Sequence, residues 1–222
     1  MLFKKGGGEH VDIRYYNTQL RIQHALIECI KEKPFSILKN KDIIEKAEVS
    51  SRTFYQHFSD KNDVLVKTES FLLNGLQEAL EDDRKILENL KKIPSPEEIN
   101  DLAEESFRYT IDYCNKWKNE ARILLSDNGD LHFLESIRKI SENELMRRFK
   151  YLFPDEYRHQ KTFDRIPAEL MLKIYVGGII NTIIFWIRND DVMSPKEVRQ
   201  IIGKVQLLSP IELVMQKQNR DT

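Results

Sequence analysis

The chain has 222 residues, with 35 Lys and Arg against 36 Asp and Glu, a formal net charge of −1, 41% hydrophobic residues and only 8 Gly, 7 Pro and 2 Cys. That length can bury a full core, and the scarcity of Gly and Pro, with no sustained alternating pattern, excludes a strand architecture and makes the chain all-α. Near-neutral charge excludes binding to nucleic acid by bulk charge, so any such contact must come from a local basic face.

Residues 1–12, which include Gly6-Gly7-Gly8, carry no core-forming pattern and are expected to be a mobile N-terminal tail. Beyond them Ile22, Ala25, Leu26, Cys29 and Ile30 trace the apolar stripe of a helix. Phe35 and Leu38 follow, and Asp42 to Ala47 forms a two-turn helix with Ile43, Ile44 and Ala47 on its buried side. Glu48-Val49 is a sharp turn, with Val49 as its buried plug and Ser50 as N-cap of the next helix. In that helix Phe54 and Phe58, four apart, share an inward face. Ser51, Arg52, Thr53, Tyr55, Gln56 and His57 are left for other directions, and their hydrogen-bonding side chains suit phosphate oxygens and base edges. Asp60 or Ser59 caps a third helix with Lys61 in its first turn, an arrangement that favours an anion. Lys39 and Lys41, with Arg14, Arg21, Arg52 and Lys61, supply a basic face.

The run Asp42-Ile43, Ala47, Val49-Ser50, Thr53-Phe54-Tyr55, His57-Phe58, Lys61 and Leu65 resembles the DNA-binding signature of TetR-family transcriptional regulators. The resemblance covers about residues 17 to 68. Glu48 stands where that family commonly has a turn glycine, which implies strain, and Asn40 stands where an apolar residue is more usual. The resemblance implies a helix-turn-helix DNA-binding domain over 13–60 and a helical effector-binding and dimerisation domain over 61–222, the two joined by a long helix. It also implies a homodimer that reads a palindromic double-stranded operator in the cytoplasm as a repressor. The DNA-contacting set is Lys39, Lys41, Ser51, Arg52, Thr53, Tyr55, Gln56, His57 and Lys61.

Lys61 to Leu90 keeps a helical apolar period and would run about 45 Å. Ile93-Pro94-Ser95-Pro96 ends it, and Glu97 to Trp117, Asn119 to Leu125 and Leu131 to Tyr151 are read as further helices, with a turn at 127–130 and a stop at Pro154. Phe163 to Asn189 is apolar nearly all round and contains Gly177 and Gly178, so it must be covered on most sides. Ser194-Pro195 opens a last helix through Ile202 or beyond. By resemblance these two helices form a four-helix dimer interface, with Leu170, Ile174, Gly177, Gly178, Asn181, Ile184, Phe185, Val198 and Ile202 as candidates. The resemblance further implies an unidentified small-molecule effector, with Phe71, Gly75, Phe107, Tyr109, Tyr113, Trp117, Leu124 and Phe133 as candidate lining.

No membrane span is expected, because the longest apolar run, near Ile179 to Ile187, is interrupted by Asn181 and Thr182. The five scattered histidines, the absence of a phosphate loop or nucleophile elbow, and two cysteines without metal spacing point away from an enzyme, a metal or a cofactor. The competing reading is a protein of the same fold that acts by binding another protein instead of DNA.

Overall fold

The computed structural model describes residues 13–88, 98, 102, 104–152, 168–189 and 192–207. The expected tail at 1–12, the break at Ile93 to Glu97 and the segment from Pro154 to Phe163 lie outside them. All regular structure among the described residues is helical: α1 Ile13–Glu32, a 3-10 turn Phe35–Ile37, α2 Asn40–Lys46, α3 Ser51–His57, α4 Lys61–Glu88, α5 Arg108–Lys116, α6 Lys118–Leu124, α7 Leu131–Leu152, α8 Ala168–Arg188 and α9 Pro195–Leu207. Among them no helix is long and apolar enough to cross a membrane.

The chain divides into two compact units. The N-terminal unit runs through Glu69 and also takes in Asp127–Gly129; the second comprises Ser70–Ser126 and the chain from Asp130 onward. The division falls inside α4, and Val64 and Leu65 in the first turns of that helix are buried.

In the N-terminal unit the helical period of α1 buries Ile22, Leu26 and Ile30, and Ile43, Phe54 and Phe58 are buried with them. Ile44 and Val49, read as buried, are half-buried. α2, α3 and α4 each begin on a side-chain acceptor. Asp42 takes the Lys39 N–H at 2.7 Å, Ser50 Oγ takes the Thr53 N–H at 3.0 Å, and Asp60 takes the Asp63 N–H at 2.9 Å. Asn128 joins this unit through its carbonyl, which accepts from the Phe35 N–H at 2.8 Å, and through its amide, which donates to the Ile30 carbonyl at 3.1 Å.

In the second unit Glu97 to Trp117 is not one helix. Phe107 breaks it with φ −123° and ψ 14°, and α5 restarts at Arg108. The two oxygens of Asp83 accept the N–H groups of Tyr109 and Thr110, both at 2.9 Å, which satisfies the orphan donors of the new start. α9 opens on a capping box: Ser194 Oγ accepts from the Glu197 N–H at 3.3 Å while the Glu197 carboxylate accepts from the Ser194 N–H at 2.7 Å, with Pro195 at the first helical position.

Candidate functional site

α3 is held by two aromatic anchors. Phe54 and Phe58 are buried with ring centroids 6.2 Å apart, and the Ser50 cap fixes where the helix starts. This leaves Ser51, Arg52, Tyr55 and Gln56 exposed, Tyr55 at 56%. Thr53 is half-buried, and its hydroxyl shares a hydrogen bond with Ser50 at 2.8 Å. Such a surface offers hydrogen bonds rather than apolar area.

Asn40 explains its own unusual polarity. Its amide donates to the Tyr55 hydroxyl oxygen at 3.3 Å, and its carbonyl accepts from the Lys61 N–H at 2.8 Å, so it ties α2 to α3 and to the start of α4. Receiving from Asn40 leaves the Tyr55 O–H free to donate outward. Glu48 adopts φ 52°, the left-handed backbone foreseen from the missing turn glycine.

Two residues of the expected DNA-contacting set are otherwise engaged. His57 is buried and stacks on Tyr15 at 4.1 Å; burial, aided by the Lys67 charge, holds its imidazole below the usual range. Lys61 turns its ammonium inward to the carbonyls of Phe35, Ser36 and Leu38 at 2.8, 3.2 and 2.8 Å and lies over the Phe35 ring at 4.7 Å. Its three donors clamp the 3-10 turn rather than awaiting a phosphate. Lys39 and Lys41 are exposed, the latter 3.4 Å from Glu45.

The second unit contains a cavity with about 670 Å³ of empty space, its mouth included. Leu72, Leu76 and Leu80 of α4, Thr110, Tyr113 and Cys114 of α5, Phe133, Ile137, Ser141 and Leu145 of α7, and Ile179, Ile180, Ile183 and Ile187 of α8 line it with Phe107 and Trp117, and no charged side chain is among the lining. An uncharged, mostly aliphatic and aromatic wall of this kind favours an apolar occupant over a charged one. Of the residues expected around an effector, Phe107, Tyr113, Trp117 and Phe133 lie on this wall. Gly75 acts indirectly, since a Cβ there would collide with the Tyr113 ring, whose hydroxyl donates to the Leu72 carbonyl at 3.0 Å. Phe71, Tyr109 and Leu124 are corrected. Phe71 packs edge-on against Trp117 at 5.1 Å, Tyr109 is exposed and bonded by Arg108, and Leu124 is buried away from the lining. The α4 leucines and α8 isoleucines escaped notice because an aliphatic cavity wall has the same helical period as ordinary core.

Buried charge lies next to this cavity. Asp83 is fully buried, and burial pushes its carboxyl up to about 6 against the pull of its hydrogen bonds to Thr110 and Tyr109. Glu144 is buried and paired with Arg84, and with Arg147 at 3.3 Å. Arg148 is 2% exposed, donates from Nη2 to the Ser106 carbonyl at 2.6 Å and stacks on the Phe107 ring at 4.1 Å. Its Nε and Nη1 have no hydrogen-bond partner.

On α8, Leu170, Ile174, Asn181 and Phe185 are exposed, and a Cβ at Gly177 would meet nothing. Their spacing places them on one stripe. Asn181 accepts from Arg138 at 3.1 Å. Gly178, Ile184, Val198 and Ile202 are corrected: a Cβ at Gly178 would lie 2.8 Å from Val205 of α9, and the other three are buried inside the protomer. The glycine pair therefore divides its work, with Gly178 admitting α9 and Gly177 facing outward.

A capped three-helix module presenting a short donor-bearing helix, followed by a helical unit around an apolar cavity, defines a helix-turn-helix transcriptional regulator. Residues 22–68 match the family model for bacterial regulatory proteins of the tetR family, and residues 101–206 match a transcriptional regulator C-terminal region of the same family. The chain belongs to the TetR family of DNA-binding transcriptional regulators. No curated protein matches it. Its fold is similar to that of a transcriptional regulator from Aquifex aeolicus VF5, at 16% identity over 89% of this chain and 99% of that one with a TM-score of 0.57. It is also similar to the fatty acid degradation regulator FadR from Bacillus halodurans, at 14% identity over 93% and 98% with a TM-score of 0.55. A third similar structure is FadR from Bacillus subtilis in complex with stearoyl-CoA, at 17% identity over 85% and 97% with a TM-score of 0.52.

Proposed function

We propose that the protein is a homodimeric repressor that reads a palindromic operator through α3 and releases it when a small molecule occupies the cavity of the second unit. The observation that carries this reading is the exposed quartet Ser51, Arg52, Tyr55 and Gln56 on a helix anchored by buried Phe54 and Phe58. His57 and Lys61 drop out as direct contacts, and Lys39 and Lys41 remain as phosphate candidates. The exposed apolar stripe of Leu170, Ile174 and Phe185 supports a two-fold interface through α8. The cavity supports an effector, and its α4 leucines belong to the helix that starts at Lys61 beside Asn40. An effector acts by binding the two states of the dimer unequally. Two buried free thiols fit the reducing cytoplasm, where such a regulator meets DNA.

The test combines Arg52→Ala with Tyr55→Phe in one variant and measures operator affinity by fluorescence anisotropy, with dimer mass by sedimentation. The expected result is a loss of DNA binding with dimer mass unchanged and the melting temperature lowered by no more than the lost Asn40–Tyr55 hydrogen bond, about 1 kcal/mol, accounts for. Retained affinity would refute α3 as the reading helix and favour a protein partner for this surface.

A further inference from the structure

We propose that Arg148 is the head-group site for an amphipathic carboxylate whose apolar tail fills the adjoining cavity. The assignment rests on the cavity being the effector site and adds the chemical class of the effector. Ile137, Ser141 and Leu145 line the cavity at four-residue steps along α7, and Arg148 is the next residue on that face, about one turn further on. Its guanidinium lies 4.1 Å over the ring of Phe107, which is itself part of the cavity wall. A guanidinium taken out of water must have its N–H groups bonded, yet Nε and Nη1 of Arg148 have no partner and only Nη2 is used, on the Ser106 carbonyl.

The neighbouring acids do not supply what is missing. Glu144 is taken up by Arg84 and Arg147, and the two oxygens of Asp83 by the N–H groups that start α5. Both lie close enough to Arg148 to interact with its charge, as does the Tyr175 phenol. Two carboxylates that already act on the Arg148 charge disfavour a dianionic phosphate, whereas a single carboxylate matches one guanidinium in charge and in hydrogen-bonding geometry. The rest of the ligand meets only uncharged lining, so it must be hydrocarbon-rich.

Calorimetric titration of the full-length protein at pH 7.5 with decanoate, 1-decanol and decyl phosphate, each below its aggregation limit, tests this. Decanoate is expected to bind at least tenfold more tightly than 1-decanol and more tightly than decyl phosphate. Arg148→Met is expected to abolish the preference over the alcohol while leaving 1-decanol binding intact. Equal affinity for acid and alcohol, tighter binding of the phosphate, no binding of any of the three, or a preference that survives Arg148→Met overturns the assignment. The wild-type comparison decides alone if the variant does not fold. A DNA arm separates this proposal from the regulatory reading. Decanoate that binds through Arg148 without changing operator affinity keeps the site and removes the effector role. An alcohol that binds equally well and releases DNA does the reverse.

Discussion

Single positions show where a residue's chemistry and its surroundings pull apart. Glu48 holds a left-handed backbone at φ 52°, a region that costs a residue with a Cβ about 1–2 kcal/mol. Glu48→Gly removes that cost and adds some unfolded-state entropy. Urea unfolding is expected to show a net gain of about 1 kcal/mol. Asp83 gives a pH signature. Its folded value of about 6 exceeds the ordinary carboxyl value of about 4, so between those limits the folded state binds more protons than the unfolded chain. The stability it contributes is therefore complete below about pH 4 and is lost as pH rises through about 6. Melting temperatures of wild type and Asp83→Asn across pH 4 to 8 check this: the difference, wild type minus variant, should fall with rising pH. The strain at Glu48 was legible in the sequence, because a turn that wants glycine had none. The fates of His57 and Lys61 were not. Both look like DNA contacts by type and position, but their destinations are set by Tyr15 and by carbonyls up to 26 residues away.

Elements were read best where local chemistry decides them. The Ser50 cap, the Phe54 and Phe58 anchors, the Asp60 cap and the Ser194-Pro195 opening are written within a few residues of where they act. The break at Phe107 is different. The stretch around it has neither Gly nor Pro, and the helix restarts there because Asp83, 26 residues back from Tyr109, receives the freed N–H groups. Lys61 works at this scale too, as the clamp between α4 and the 3-10 turn. Lys61→Met is expected to lower stability by about 2 kcal/mol in chemical unfolding, by stranding three carbonyls. Arg52→Ala, at an exposed position, should leave unfolding within about 0.5 kcal/mol of wild type. In α4, Gly75→Ala would displace the Tyr113 ring and break its bond to Leu72. Ligand binding followed by Trp117 fluorescence should weaken, while a substitution at exposed Glu78 should not change it.

At the scale of the whole molecule, the family, the all-α class and the order of the helices were legible because they rest on periodicity and one dense motif. The outward stripe on α8 was only half legible: a helix apolar nearly all round does not announce which face its own protomer covers, and contacts with α9 decide that Gly178 is inside and Gly177 outside. The central claim is that the donors of α3 read DNA in symmetry-related pairs. Selection of bound duplexes from a random pool by the purified protein, followed by sequencing, measures it most directly. The account predicts enrichment of an inverted repeat with half-site centres about 34–36 Å apart, or a multiple of that spacing, lost when Arg52 is replaced by alanine. Enrichment of no sequence, or of one without two-fold symmetry that Arg52→Ala still selects, would contradict it.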